Sequence, residues 1–340
     1  MVDFPSRPGL KNLAARYRIG ILGSGRMAAA FAEAMADVNG AELHAVGSRR
    51  QATADSFAGR YGILRSYGSY ERLLDDADID IVYIATPHSL HHENCLQSLD
   101  AGKAVLCEKP FALNATQASE MIARAEEKNC FLMEAMWTRF LPAVVKLRDL
   151  LQDDVLGDIQ TIVAGGAFMP PFDPDKYLFN RELGGGVLLD AGVYLISIAS
   201  MILGAPATVS AAATLHPAGI DDNDAILLSH GGGANALLYV SLHARSAPDL
   251  RILGKRGEIH VHAPIFSPAK LTLRLHDQDK QDFDLPFTGN GYQYQVDEVV
   301  HCLQLGKCES EIMPLAETLS IMETMDAVRR QIGLTYPQEN

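Results

Sequence analysis

The chain has 340 residues, which is long for one hydrophobic core and predicts two domains. Hydrophobic residues make up 48% of the chain and charged residues 21%, which is ordinary for a globular protein. The formal net charge is −13, so neither nucleic acid nor an anionic membrane is expected as a partner, because both would repel the chain.

Residues 1–16 are predicted to form a polar arm, since they lack the continuous apolar stretch of a signal peptide. No apolar run is expected to be long enough to span a bilayer. The five cysteines are odd in number and contain no CxxC pair, which favours reduced thiols in a cytoplasmic protein.

Short apolar runs alternate with helix-forming segments between residues 17 and 136. Five strands are predicted in the sequences YRIGIL, AELHAVGS, IDIVYIAT, KAVLCEKP and CFLMEAM, with helices between them. Strands that alternate with helices of this length indicate βαβ units and a parallel sheet. Residues 17–136 are therefore predicted to form an α/β dinucleotide-binding domain of the Rossmann type.

The pattern changes beyond residue 136. After a helix (LPAVVKLRDLLQD) and a strand (QTIVAGGAF), the segment GGGVLLDAGVYLISIASMILG is predicted to be one long helix. Alternating runs from TVSAAATLH to QDFDLPF then predict a mostly antiparallel sheet, in which residues 221–224 (DDND) form a turn between strands. Residues 137–340 are expected to form an α+β domain for substrate binding and oligomerisation, with a C-terminal helix that packs back toward the first domain.

A glycine-rich turn of the form GxGxxA follows the first strand and opens a helix. The predicted cofactor-binding residues in this turn are Gly23, Ser24, Gly25, Arg26 and Met27. The first glycine permits the tight turn, and the second lets the backbone approach a pyrophosphate. The phosphates would meet the free N–H groups at the helix N-terminus. The position of the motif within a strand–turn–helix–strand unit favours a dinucleotide site over a helix entry without a ligand.

The end of the second strand indicates which dinucleotide is bound. An NAD site usually offers an acidic residue there, but this chain has Ser48, Arg49 and Arg50. A hydroxyl and two guanidiniums suit a 2′-phosphate, so NADP(H) is predicted in preference to NAD(H). The alternative is that both arginines lie on a surface turn without a ligand.

Two further strand ends carry polar chemistry on the rim where ligands of open α/β sheets bind. The first provides Thr86, Pro87 and His91, and the second provides Glu108 and Lys109. All five are predicted to contact the cofactor. The histidines of this segment lack a carboxylate or cysteine at a suitable spacing, so no metal site is predicted.

Four motifs together resemble the glucose–fructose oxidoreductase/inositol dehydrogenase/MocA family: the GxGxxA turn, TPHSLH, AGKAVLCEKP and GGGVLLDAGVY. Within that family, MEAMWTRFLPA and the ending GLTYPQ look most similar to the dimeric dihydrodiol dehydrogenase/NADP-dependent D-xylose 1-dehydrogenase branch. The resemblance implies a Rossmann domain followed by a domain with a large open sheet. The exposed face of that sheet is expected to form a homodimer.

The same resemblance implies three catalytic residues. Tyr194 would be the acid/base, Lys109 its partner, and Asp190 would orient Lys109 or the substrate. Asp190 and Tyr194 are four residues apart in the predicted helix and therefore share a face. A nearby cation would favour the phenolate, and desolvation would oppose it. The alternative interpretation of Tyr194 is a core aromatic residue.

Three residues at or near the junction of the two domains are expected to line a substrate pocket. They are Trp137, Arg139 and Phe168, with the loop of residues 169–180 at its border. Clefts between domains are preferred ligand sites. Domain-interface packing is the alternative interpretation for Trp137.

The predicted function is that of an NADP-dependent oxidoreductase, which transfers a hydride between nicotinamide and a hydroxyl or carbonyl of a sugar, cyclic polyol or trans-dihydrodiol. One alternative is a keto- or anhydro-sugar reductase that works in the reverse direction. An alternative of another class is a regulatory protein that senses NADP(H) without catalysis. The presence of Lys109, Asp190 and Tyr194 favours an enzyme.

Overall fold

The computed structural model describes residues 16–339. Residues 1–15 of the predicted polar arm lie outside this range. The first part of the described chain forms a six-stranded parallel sheet with the strand order β3-β2-β1-β4-β5-β6. Its strands are β1 (Tyr17–Leu22), β2 (Ala41–Gly47), β3 (Arg65–Tyr67), β4 (Ile81–Ile84), β5 (Ala104–Glu108) and β6 (Leu132–Ala135). Its helices are α1 (Arg26–Ala34), α2 (Gln51–Tyr61), α3 (Tyr70–Leu74), α4 (His91–Asp100) and α5 (Ala115–Lys128).

The apolar runs in the sequence form the central strands of this sheet. Every residue of β4 and of β5 is buried, as expected for parallel strands that are covered on both faces. The edge strand β3 was not predicted, because it has three half-buried residues and no apolar run. The strand order is that of a Rossmann domain, which confirms the predicted fold class.

The second part of the chain forms an eight-stranded sheet with the order β14-β13-β12-β11-β7-β10-β9-β8. Its strands are β7 (Ile159–Ala167), β8 (Thr208–His216), β9 (Ile220–Ser229), β10 (Asn235–Ser241), β11 (Ser246–Gly254), β12 (Gly257–Val261), β13 (Lys270–Leu275) and β14 (Gln281–Asp284). Only the β7–β10 pair is parallel among the described strand pairs of this sheet, so the predicted antiparallel character is confirmed.

Four helices accompany the large sheet: α6 (Pro142–Gln152), α7 (Val193–Leu203), α8 (Gln293–Gln304) and α9 (Leu315–Ile332). The predicted long helix is α7 preceded by a π-helical turn, Leu188–Gly192. The C-terminal helix α9 packs against α5 and β6 of the first sheet and β8 of the second. It therefore contacts elements of both sheets. The sequence QYQVDEVVHCLQ of α8 was not predicted to be a helix.

The prediction of a turn at residues 221–224 is wrong. These residues lie inside β9, and the carboxylates of Asp221, Asp222 and Asp224 are buried. A run of aspartates is typical of turns because carboxylates normally stay in water. Here Asp221 accepts a hydrogen bond from the backbone N–H of Leu188 at 2.6 Å, so the strand supports the start of the π-helical turn.

The expectation about membrane-spanning length also needs correction. The helical stretch Arg181–Leu203 is long and apolar enough to cross a membrane by length and composition, and its most apolar 18-residue window has a mean hydropathy of 2.0. In the folded chain, 67% of the most apolar window is buried inside the molecule. Helix α7 packs there against α9 and the inner face of β7 and β10, which is the environment of a core helix.

Candidate active site

Two adjoining cavities lie between the carboxyl ends of the parallel strands and the large sheet. The first, of about 340 Å³, is lined by the glycine-rich turn and is called the dinucleotide cavity here. The second, of about 560 Å³, is lined mainly by aromatic and aliphatic side chains and is called the substrate cavity. Residues lining both are Arg26, Met27, Lys109 and Asp190. The two cavities therefore meet at the predicted catalytic residues.

The glycine-rich turn fits a dinucleotide at its two glycines. Gly23 has φ of +104°, and a Cβ there would meet the carbonyl oxygen of Ala85 at 2.6 Å. A Cβ at Gly25 would meet no atom within 4 Å, because this side of the backbone opens toward the cavity. Helix α1 starts at Arg26, so its unpaired N–H groups are available to an anion there.

The end of β2 forms the far side of the dinucleotide cavity. Ser48 and Arg49 line it together with Ser24, whose hydroxyl bonds the Ser48 hydroxyl at 3.3 Å. Arg50 is exposed, occupies the N-cap position of α2 and is not one of the lining residues. The structure therefore places one of the two predicted arginines at the cavity.

The histidines on the rim hold loops in place. His91 is fully buried, and its ring nitrogens lie 2.8 Å from the Pro110 carbonyl oxygen and 2.9 Å from that of Thr86. Burial lowers the pKa of His91 to about 4, so the ring is neutral and donates one of these contacts as a hydrogen bond. Thr86, Pro87 and His91 all line the dinucleotide cavity.

One group of potential metal ligands occurs among residues 16–339, away from both cavities. His44, Asp76 and Asp78 lie close enough to share an ion. Arg65 bonds both carboxylates at 2.7–2.8 Å, so these carboxylates already have a cationic partner.

Glu108 is 3% exposed and accepts a hydrogen bond from the Tyr83 hydroxyl at 2.5 Å. Burial raises the pKa of Glu108 to about 7, although Tyr83 and Lys109 oppose this. Its carboxyl lines the dinucleotide cavity next to Lys109.

Lys109 and Asp190 form a buried ion pair across 81 residues of sequence. The ammonium donates to the Asp190 carbonyl oxygen at 2.7 Å and to Oδ1 at 3.2 Å. The Tyr177 hydroxyl donates to the same Oδ1 at 2.8 Å. Burial alone would lower the pKa of Lys109, but the Asp190 carboxylate outweighs it and the pKa rises. The pKa of Asp190 falls because Lys109 outweighs burial in the same way.

Tyr194 lies beside this pair, with the Lys109 ammonium 4.9 Å from the centre of its ring. Its hydroxyl oxygen accepts a hydrogen bond from the Trp137 indole N–H at 2.9 Å. Burial raises the pKa of Tyr194, and Lys109 only partly opposes this. Burial therefore decides the direction of the shift, and the nearby Glu108 and Asp190 carboxyl groups add to it.

The substrate cavity has an aromatic wall. Trp137 stacks on Tyr292 with ring centres 4.6 Å apart, and Phe168 and Phe266 line the same space. Trp137 and Phe168 therefore both line this cavity, and their contact with a substrate stays a prediction.

The prediction for Arg139 is wrong. This residue is 2% exposed, lines neither cavity, and bonds Glu317 at 2.7 and 2.8 Å and Ser197 at 2.8–3.1 Å. A buried guanidinium needs such partners, and here it holds α9 to α7. Its closeness to Trp137 in sequence does not bring it to the cavity, because the guanidinium bonds Ser197 and Glu317 between α7 and α9.

Four aromatic residues of the site were missed in the sequence: Tyr70, Tyr177, Phe266 and Tyr292. Tyr177 lies in the loop that was expected to border the pocket, so its position carried a signal. Tyr70 opens α3, while Phe266 and Tyr292 follow strands of the large sheet. Nothing in their local sequence distinguishes them from core aromatics.

Comparisons with known proteins agree with this geometry. The sequence model of the GFO/IDH/MocA oxidoreductase family, NAD-binding Rossmann fold, matches residues 17–136. The model of the GFO/IDH/MocA C-terminal domain matches residues 144–260. The chain belongs to the GFO/IDH/MocA oxidoreductase family. As a member of it, the chain is a dehydrogenase that acts on hydroxyl groups with a nicotinamide cofactor.

Relatives of known name cover nearly the whole chain. A trans-1,2-dihydrobenzene-1,2-diol dehydrogenase from Mus musculus is 34% identical over 95% of this chain and 98% of its own length. The protein of the same name from Bos taurus is 36% identical over 88% of this chain and 91% of its own length. An aldose-aldose oxidoreductase of the same fold from Caulobacter crescentus superposes with a TM-score of 0.85 at 26% identity, covering 93% of this chain and 97% of its own. A 3-ketoreductase from Actinomadura kijaniata, solved with NADP, gives 0.83 at 26% identity over 94% and 98%.

Proposed function

We propose that this family member is an NADP-dependent dehydrogenase, which interconverts a hydroxyl and a carbonyl on a sugar, cyclic polyol or trans-dihydrodiol. The observation that carries the proposal is the position of Lys109, Asp190 and Tyr194. They lie where a cavity lined by a dinucleotide-type turn opens into a cavity with aromatic walls. A substrate in the second cavity would have its reacting carbon near both the cofactor site and Tyr194.

The cofactor supplies or accepts the hydride when it is bound. Tyr194 handles the proton: its hydroxyl donates a proton to the carbonyl oxygen in reduction and takes one from the substrate hydroxyl in oxidation. Lys109, fixed by Asp190, places a positive charge beside the developing alkoxide. Charge aimed at the atom where negative charge develops is a large source of rate enhancement.

The raised pKa of Tyr194 favours the reverse reaction as a second candidate function. At neutral pH the phenol is protonated and is ready to act as an acid. Reduction of a keto-sugar needs this form, whereas oxidation of an alcohol needs the phenolate. The same chain therefore supports a ketone or anhydro-sugar reductase with no change in the site.

Preference for NADP(H) rests on Ser48 and Arg49 at the dinucleotide cavity, where no residue at the end of β2 offers a carboxylate. The substrate class rests on the mixed walls of the larger cavity and on the names of the relatives. Its volume of about 560 Å³ is within the range of small-molecule sites. Aromatic walls suit the ring face of a sugar or a dihydrodiol.

The experiment is a panel of aldoses, inositols, trans-dihydrodiols and the corresponding ketones, each followed by absorbance of the reduced cofactor with NADP(H) and with NAD(H). Turnover with at least one hydroxyl or carbonyl compound, and a higher kcat/KM with NADP(H), is expected. Tight NADP(H) binding without turnover on any compound would support the sensor alternative instead.

A homodimer through the large sheet is also proposed. Val163, Leu237 and Leu227 lie side by side on β7, β10 and β9, and they are 37%, 46% and 41% exposed. Tyr239 continues this row two residues further along β10, over the backbone of Gly165. An exposed apolar row on a sheet face is typical of a protein–protein interface.

A further inference from the structure

Trp137 is the only tryptophan of the chain, and its indole N–H points at the proposed catalytic phenol. The nitrogen lies 2.9 Å from the Tyr194 oxygen. Trp137 is 6% exposed, begins the short turn directly after β6, and stacks on Tyr292 at an interplanar angle of 16°. The indole plane, and with it the direction of the N–H, is therefore fixed on one face by another ring and at its root by the sheet.

This hydrogen bond restricts where the Tyr194 proton can go. An indole N–H only donates, so Trp137 cannot accept the phenol proton. Within residues 16–339 no other hydrogen bond to the Tyr194 oxygen is present. The nearby Lys109 ammonium donates to Asp190 instead. The phenol proton and the remaining lone pair are thus left for a ligand in the substrate cavity, which both rings line.

We propose that Trp137 is a positioning residue for Tyr194, whose N–H occupies one lone pair of the phenol, directs the hydroxyl proton toward the substrate, and stabilises the phenolate. The proposal rests on the proposed function, in which Tyr194 transfers the proton. A hydrogen bond to a charged acceptor is stronger than a hydrogen bond to a neutral acceptor. The bond from Trp137 therefore strengthens when Tyr194 loses its proton. The position of Trp137 therefore matters most in the oxidation direction.

The groups that face the Tyr194 ring come from several elements. Glu108 ends β5, Lys109 follows it, Asp190 precedes α7, and Tyr292 precedes α8. Their charges act through space on the phenol and remain unchanged when Trp137 is replaced. A change specific to the indole N–H can therefore be separated from them.

The first experiment detects the hydrogen bond by NMR and does not require turnover. Because the chain has one tryptophan, a ¹⁵N-labelled sample gives one indole N–H signal by NMR. In the Tyr194→Phe variant, which removes a single oxygen, that signal is expected to move and its exchange with water to quicken. An indole signal with the same shift and exchange rate in both proteins would overturn the proposal, whatever the enzyme's activity.

The second experiment tests the role of Trp137 in proton transfer. It uses a substrate that is turned over in the panel described above. Trp137→Phe keeps an aromatic ring over Tyr292 and removes the donor. Its pH profile of kcat/KM for oxidation is expected to shift toward higher pH by about one unit, with unchanged cofactor affinity. Tyr292→Leu is the packing control: it removes the ring stacked on the indole but leaves the N–H donor, so its pH profile is expected to shift less than that of Trp137→Phe.

A purely structural role makes opposite predictions. If Trp137 only packs, Trp137→Phe and Tyr292→Leu should both lower kcat while the pH profile stays in place. That result would overturn the proposal. Absence of turnover on every compound would count against the proposed function, while the NMR comparison would still decide the hydrogen bond.

Discussion

At the scale of single residues, the site depends on how Tyr194 is ionised. Burial outweighs the nearby ammonium, so the pKa of the phenol lies above its ordinary value of about 10. The phenol is neutral below that pKa. The rate of oxidation should therefore rise with pH up to this value, while the rate of reduction should be flat around neutral pH and fall above it.

Replacing Tyr194 with Phe tests the proton transfer directly. We expect turnover to fall at least about a hundredfold, because a positioned acid or base contributes about 10²–10⁴ in rate. The affinity for NADP(H) should not change, since Tyr194 lines only the substrate cavity. Steady-state kinetics and cofactor titration measure the two effects. Near-normal turnover would remove Tyr194 from the mechanism.

Arg49 and Arg50 are adjacent in sequence but differ in position. Only Arg49 lines the dinucleotide cavity, so Arg49→Ala should weaken NADP(H) binding by about tenfold to a hundredfold, the value of one charge-assisted hydrogen bond. NAD(H) binding should be little affected, because that cofactor lacks the 2′-phosphate. Arg50→Ala is the control and is expected to match the wild type. Equal losses in both variants would place the 2′-phosphate between the two side chains.

At the scale of elements, the turn between β1 and α1 uses its two glycines for different purposes. Gly23 has φ of +104°, and a Cβ at this position would meet the backbone of Ala85. Gly25 has φ of −85°, and a Cβ there would point into open space. The first glycine is required by the fold of the turn and the second by the expected cofactor. An alanine at each position therefore separates folding from binding.

Gly25→Ala should fold with wild-type stability and lose cofactor affinity, because its methyl group would occupy the open side of the turn. Gly23→Ala should lose more than about 1 kcal/mol of stability, from the positive φ and from the contact with Ala85. Thermal unfolding with and without NADP(H) distinguishes the two. A Gly25→Ala variant that binds NADP(H) normally would show that the cofactor does not approach this backbone.

At the scale of the whole molecule, α9 joins the two sheets through buried polar contacts. The Thr318 hydroxyl of α9 donates to Glu134 of β6 at 3.3 Å, and the other carboxylate oxygen of Glu134 has no hydrogen-bond partner among the described residues. Burial raises the pKa of Glu134 from 4.5 to about 7, although the Arg139 charge opposes this. A group whose pKa is higher in the folded state contributes its full stabilisation of the fold below its unfolded pKa. This stabilisation is lost as the pH rises through the folded pKa.

Glu134→Gln should therefore gain stability relative to wild type as pH rises from about 4.5 to above 7. The shift corresponds to roughly 3 kcal/mol. Denaturant unfolding at several pH values measures the difference between the two proteins. Glu126→Gln, at an exposed position of α5, is the control and should show no such trend. A stability difference for Glu134→Gln that stays constant with pH would show that folding does not raise the pKa of Glu134.

The proposed dimer makes its own prediction. Leu237→Glu places a charge in the middle of the exposed apolar row of the large sheet and should convert the dimer to a monomer. Leu64→Glu is the control, because Leu64 is 75% exposed and lies in the first part of the chain. Light scattering after size-exclusion chromatography measures the molecular mass of the wild type and of both variants. Identical masses for all three proteins would place the dimer contact elsewhere or exclude a dimer.

Much of the first domain could be predicted from the sequence alone, because its signals are local. Apolar runs of four to six residues identify the central strands, and a glycine at Gly23 is dictated by a positive φ within the turn itself. The edge strand β3 was missed because it is short and has no apolar run. Helix α8 was missed although Val296, Val299, Val300 and Leu303 have the spacing of one helix face. The likeness of four short motifs to one family identifies the proposed catalytic residues from the sequence alone.

Only the tertiary structure could decide which of those residues meet. Lys109 and Asp190 are 81 positions apart, and Trp137 and Tyr194 are 57 apart, so no local rule pairs them. Asp221 and Arg139 were misjudged for the same reason: a buried charge is read as a surface or site residue until its partner, here the Leu188 N–H or Glu317, is seen. Sequence patterns determine secondary structure because that structure depends on neighbours in the chain. The direction of the pKa shift of Tyr194 depends on burial and on groups brought together by folding, so only the folded chain determines it.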